Sequence, residues 1–156
     1  MTTTESLLNV SNVHVAYPAR RRGGKSARAV DGVDLEIRPG EIVALVGESG
    51  CGKTTLARVI LGLQETSEGS IAFDGELLPT SASGKKAFRR RAQIVFQDPT
   101  ASLNPRHSVY EIVAEGLRIH GLGENEHQVV KNALEQCGLH PAERYMLKYP
   151  HELSGG

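Results

Sequence analysis

The chain has no excess of charge of either sign: eighteen Lys and Arg residues balance eighteen Asp and Glu, for a formal net charge of zero. No overall field draws in nucleic acid or an anionic membrane surface, so any such partner has to be met locally. Long apolar runs are also missing. The longest, such as residues 42–46, fall far short of the ~20 residues that a membrane-spanning helix requires, and the polar stretch 1–6 contains no signal-peptide core. Together these absences predict a protein made and kept in the cytosol. Cysteine is scarce, and Cys51 and Cys137 have neither zinc-ligand spacing nor the density of a disulfide framework, so both are expected to stay thiols. Six histidines (His14, His107, His120, His127, His140 and His151) show no metal-ligand spacing, and no transition metal is expected. Internal repeats and low-complexity tracts are absent as well.

What is present points to a globular α/β chain. Its 156 residues suit one domain that buries roughly 70% of its unfolded surface. An apolar fraction of 39%, 23% charged residues and 17 glycines favour a loop-rich α/β architecture over a helical bundle.

Residues 7–17 alternate apolar and polar through Leu8, Val10, Val13 and Val15, and residues 30–37 do so through Val33, Leu35 and Ile37, predicting an antiparallel pair of half-buried strands. Between them, PARRRGGKSARA (18–29) has the composition of an exposed loop. After Arg38-Pro39-Gly40, the continuous run EIVALVG predicts a strand buried on both faces of a mainly parallel sheet. A helix is expected over 53–61, stopping at Gly62. Within 69–78 a strand breaks at the hairpin dipeptide Asp74-Gly75; a short basic helix is expected over 85–91 and a strand over 92–96. From Ser108 onward, Val109, Ile112, Val113 and Leu117, then Val129, Val130, Ala133, Leu134 and Cys137, fit two amphipathic helices. Pro141 can open a third that ends before Pro150.

The segment GESGCGKT at 47–54 satisfies the P-loop pattern. Gly47, Gly50 and Gly52 can take backbone angles closed to other residues, turning successive N–H groups inward as a nest around a phosphate. The helix that follows aims its positive dipole end at the same anion, and the Lys53 ammonium reaches the β and γ phosphates. Thr54 supplies a hydroxyl ligand to Mg2+, and Thr55 a further phosphate hydrogen bond. Glu48, Ser49 and Cys51 complete the loop, with Cys51 contributing its backbone. A P-loop alone does not separate kinases, GTPases, motor ATPases and transport ATPases.

Further features narrow the choice. Tyr17 ends the opening strand, Gln97 directly follows the apolar IVF, QDPTASLNPR occupies 97–106, and the chain closes on HELSGG at 151–156. With the P-loop, and in this order, they resemble the ATP-binding cassette (ABC) family over nearly all of the chain. The segment 97–106 is similar to the subfamily that imports dipeptides, oligopeptides and sometimes nickel.

That resemblance implies an α/β P-loop NTPase fold. It would consist of an N-terminal antiparallel β subdomain, a parallel-sheet core and the start of a helical subdomain, with the C-terminal half missing. Residues 5–96 would form the β subdomain and P-loop core, and 97–156 the Q-loop, helical subdomain and start of the signature motif. ATP would lie on Tyr17, as the adenine stack, and on Gly47, Glu48, Ser49, Gly50, Cys51, Gly52, Lys53, Thr54 and Thr55. In trans, Ser154, Gly155 and Gly156 would meet the γ-phosphate of a second subunit. Gln97 and Lys53 would act in catalysis, and Thr54 and Gln97 on Mg2+.

Implied partners are a second ABC subunit, identical or not, transmembrane permease subunits and, indirectly, a solute-binding protein, with no nucleic acid. The implied location is peripheral, at the cytoplasmic face of the membrane, or soluble if unassembled. The family's Walker B Asp, catalytic Glu and switch His find no match, so the chain is expected to be an incomplete cassette that binds ATP and hydrolyses it poorly. Two other readings stay open. One is a non-transport cassette acting on DNA or ribosomes, with Arg20 to Arg22 and Lys85 to Arg91 as phosphate contacts; the other is a P-loop kinase or GTPase.

Overall fold

Buried positions in the opening strand slip phase once, since Val10 and Val13 are an odd number of residues apart. In the computed structural model, which describes residues 6–17 and 27–153, a bulge takes up the slip. Strand β1 (Leu8–Tyr17) changes register against its neighbours after Val10 and Ser11. Asn12 there adopts φ +46° and donates its N–H to Asp34 Oδ1 at 2.8 Å. One extra residue restores the phase, so Leu8, Val10, Val13 and Val15 all reach the core, at 6% exposure or less.

Strand β1 lies inside a four-stranded antiparallel sheet of order β2-β1-β3-β4, with β2 at Ala27–Ile37, β3 at Glu68–Phe73 and β4 at Glu76–Leu77. Helix α1 (Lys53–Ile60) packs Leu56 and Val59 against Val30, Ile71 and the buried residues of β1. Each such side chain contributes roughly 1.5–3 kcal/mol when fully buried. The β3–β4 turn runs through Asp74 (φ +54°) and Gly75 (φ +79°), the two positive angles that a two-residue hairpin of matching twist requires.

Three local expectations need correction. Residues 41–46 and 92–96 are not strands, and the parallel-sheet core expected there is not formed among the described residues. A parallel strand forms only where a neighbouring strand supplies its ladder hydrogen bonds, and it is buried only where its faces are covered. Among the described residues no strand pairs with either run, and Ile42, Val46 and Val95 are 97%, 92% and 89% exposed. The basic helix begins earlier than its charges suggest, as α2 at Ala82–Phe88. Its start is set by Ser81, whose side chain accepts from the Gly84 N–H at 3.1 Å.

Met1–Gln93 and Ile94–Gly156 form separate compact units. The second is helical, with α3 (Pro99–Ser102), α4 (Val109–His120), α5 (Glu126–Gln136), α6 (Glu143–Met146) and a 3-10 turn at Pro150–Glu152. Helix α4 opens on a capping box between Ser108 and Glu111 and closes on Gly121 at φ +67°. Val109, Ala114, Val130, Leu134, Ala142 and Met146 form its core. Glu126 ties α4 to α5, accepting two bonds from Arg118 at 2.8 and 2.7 Å and one from the Tyr110 hydroxyl at 2.9 Å.

Candidate functional site

A turn stabilised by the Glu41 N–H donating to Arg38 O at 3.1 Å leads into residues 41–46 and then the loop at 47–52. Two of its glycines take left-handed angles, Gly50 at φ +85° and Gly52 at φ +97°. Gly52 is also the N-cap of α1, with no side-chain cap on the helix and no acidic residue in its first turn. The result is a helix end whose N–H groups and positive dipole are left for an external anion. Gly52 owes its place to contact as well as angle, since a Cβ there would stand 2.2 Å from the carbonyl oxygen of Ala29 on β2. The loop borders an open cavity of about 430 Å³ lined by Arg28, Val30, Val46, Gly52 and Lys53.

Lys53 folds back over its own loop. Its Nζ donates to Gly47 O at 2.7 Å and Glu48 O at 2.6 Å, with Cys51 Sγ at 3.4 Å. Those carbonyls hold the ammonium over the concave side of the loop, where a phosphate would meet it as a compact positive charge. Gly47, expected to share the angles of Gly50 and Gly52, does not take a positive φ; an added Cβ there would meet only the Cys51 Sγ, at 2.9 Å, a side-chain tip that can turn aside. Glu48, Ser49 and Cys51 are exposed, as is Thr54. Among the described residues no group of three or more His, Cys, Asp or Glu could hold a metal. The hydroxyl of Thr54 fits the habit of Mg2+, which takes few protein ligands and completes its shell with water and phosphate oxygens.

Tyr17 ends β1 with its side chain on the α1 side of the sheet. Its hydroxyl donates to Gln64 Oε1 at 3.0 Å, and the Thr55 side chain acts on the same phenol. The Thr55 contact first, then Gln64, holds the phenol pKa below its ordinary value, and the Arg58 charge acts in the same direction. Tyr17 is 41% exposed, leaving it surface to offer a ligand. The first unit thus gathers Tyr17, Thr55 and the loop from Gly47 to Lys53 around one helix end. Gln97 belongs to the second unit, where it is exposed. Ser154, Gly155 and Gly156 lie outside the described residues, as does the basic loop around Arg20 to Arg22. Sequence reasoning missed Gln64 and the Ala29 carbonyl, because a lone loop glutamine and a backbone oxygen leave no pattern to read.

The comparisons with known proteins agree on one family. The family model described as ABC transporter matches residues 30–156. The chain is 44% identical over 160 residues to the oligopeptide transport ATP-binding protein OppF of Bacillus subtilis, covering 98% of this chain and 50% of that one. It is 46% identical over 155 residues to YkfD of the same organism, provisionally named for oligopeptide transport, covering 96% and 46%. Against the glutathione import ATP-binding protein GsiA of Escherichia coli K12, identity is 42% over 159 residues, with 97% and 25% covered. The chain therefore spans half or less of the length of these curated relatives. Among solved structures, cbiO1 of Clostridium perfringens, part of the ABC transporter complex cbiONQ, superposes with a TM-score of 0.73 at 30% identity, covering 96% of this chain and 56% of that one. A dimeric ATP-binding cassette in a post-hydrolysis state, bound to ADP and Pi, gives 0.72 at 27%, covering 95% and 63%.

Proposed function

Because the chain belongs to the ABC transporter family, we propose that it is the ATP-binding part of an importer subunit. That subunit would couple ATP binding and hydrolysis to uptake of dipeptides, oligopeptides or a related solute such as nickel. The observation that carries this reading is the uncapped N-terminus of α1, preceded by Gly50 and Gly52 at positive φ and overlaid by Lys53. Relatives named for oligopeptide and glutathione import support the solute class.

In this reading the chain's own groups bind and orient. Backbone N–H groups of residues 47–55 cradle the phosphates, and the Lys53 ammonium leaves the Gly47 and Glu48 carbonyls to meet the β and γ oxygens. Thr54 and Gln97 would hold Mg2+, which supplies charge neutralisation at the phosphates being separated. Tyr17 stacks on the adenine, and Gln97 positions the attacking water. Ser154, Gly155 and Gly156 act on a nucleotide held by a second cassette, identical or not. Hydrolysis also draws on a metal-holding Asp and a water-polarising Glu, which no motif in these 156 residues supplies.

Residues 5–96 would serve as the β subdomain and P-loop core, and 97–156 as the Q-loop, helical subdomain and start of the signature. No helix among the described residues is long and apolar enough to cross a membrane. By the likeness to import ATP-binding proteins, membrane attachment is assigned to permease subunits, with the cassette peripheral at the cytoplasmic face and a solute-binding protein acting indirectly. A full-length form carrying this sequence is expected to co-purify from detergent extracts with a multi-helix membrane subunit. Its ATPase rate in that complex should rise when peptide and solute-binding protein are supplied. Recovery on nucleic acid, with no membrane subunit, would overturn the transport reading in favour of a cassette acting on DNA or ribosomes.

A further inference from the structure

Helix α1 closes on Gly62 at φ +62°, with the Leu63 N–H donating to Arg58 O at 2.8 Å. The connection that follows is stitched to the end of β1 rather than left to solvent. Ser67 Oγ accepts from the Ala16 N–H at 3.0 Å and donates to His14 O at 3.0 Å, while the Ser67 N–H donates to the same carbonyl at 2.8 Å. Gln64, in the same connection, accepts the Tyr17 hydroxyl at 3.0 Å. Ser67 thus fixes the backbone that carries Tyr17, and Gln64 fixes the far end of its ring.

An aromatic ring on a strand end is held at Cβ alone, and rotation about its last side-chain bond is broad. A flat base gains from stacking only if the ring plane is already set, because ordering it at the moment of binding subtracts from affinity. We propose that Gln64 is a positioning residue for base recognition: it anchors the Tyr17 hydroxyl so that the ring's open face is presented to the nucleotide base. Ser67 supports the arrangement by pinning the strand end. This inference rests on the reading of Tyr17 as the base-stacking residue.

The test compares affinities of the full chain for Mg-ATP and for magnesium tripolyphosphate, which shares the phosphates and lacks the base. Gln64→Leu removes the acceptor at similar volume, and Tyr17→Phe removes the donor. Each is expected to weaken ATP binding about threefold to tenfold, the range of one net hydrogen bond, with tripolyphosphate affinity unchanged. The double variant should lose no more than Tyr17→Phe alone, and Gln64→Glu, which keeps an acceptor, should restore ATP affinity. Tyr17→Ala should cost more than any of them for ATP and nothing for tripolyphosphate. If Tyr17→Ala weakens ATP binding while Gln64→Leu stays at the wild-type value, the positioning role is overturned and the stacking role stands. If Tyr17→Ala itself leaves ATP affinity unchanged, the stacking role fails and this inference goes with it. Equal losses for ATP and tripolyphosphate in Gln64→Leu would show a general disturbance of the loop and overturn the assignment.

Discussion

Gly52→Ala is expected to destroy the anion site and to destabilise the first unit, the larger of the two strongest effects foreseen here. Two separate penalties meet at this position. A side chain at φ +97° is strained by roughly 1–3 kcal/mol before any contact is counted. The added Cβ also lies 2.2 Å from the Ala29 carbonyl oxygen, which belongs to backbone in β2 and cannot rotate away as a side chain would. Either α1 or β2 has to move, and α1 carries both Leu56 and Val59 of the core and the N–H groups of the site. Gly40→Ala isolates the first penalty, because Gly40 has φ +76° with nothing within 4 Å of an added Cβ. Urea unfolding and Mg-ATP titration of both variants should show a modest stability loss with intact binding for Gly40→Ala, and a larger loss with binding abolished for Gly52→Ala. Intact binding in Gly52→Ala would mean that the close approach of β2 to the loop is not what shapes the site.

Lys53→Ala is expected to weaken Mg-ATP binding on the order of 100-fold or more while leaving stability nearly unchanged. Hydrogen bonds to charged groups contribute about 1.5–3 kcal/mol each, and the ammonium is placed to make more than one with a triphosphate. Its present partners are the Gly47 and Glu48 carbonyls, which are exposed and can turn to water once it is gone. Binding and folding should therefore separate cleanly. Isothermal titration for affinity and thermal unfolding for stability measure the two effects independently. A variant that binds as well as the wild type would remove Lys53 from the site.

These expectations rest on features that were legible to different degrees in the sequence. Asp74-Gly75 announced its hairpin because a two-residue turn of that hand needs two positive φ angles, and few residues accept them. The apolar alternation of β1 was legible too, whereas the bulge at Asn12 that keeps Val10 and Val13 on one face comes to light only in the fold. Gly50 and Gly52 take the left-handed angles that the loop pattern demands. What local pattern could not supply was anything decided by a distant partner. Residues 41–46 and 92–96 have the composition of buried parallel strands, yet composition does not bring a neighbouring strand, and among the described residues none pairs with either run. Helix α2 begins at Ala82, directly after its Ser81 cap, because a cap outweighs the run of basic residues. Gln64 was invisible because its importance depends on the fold bringing it to Tyr17, far away in sequence.

The central claim is that the loop around α1 binds the phosphates of ATP. Residue-resolved NMR titration of the wild-type chain with Mg-ATP tests it most directly. The account predicts saturable one-to-one binding, with the largest amide shifts at Gly50, Gly52, Lys53 and Thr54 and a ring shift at Tyr17. Absence of saturation, or shifts that centre elsewhere and leave those residues unmoved, would contradict it.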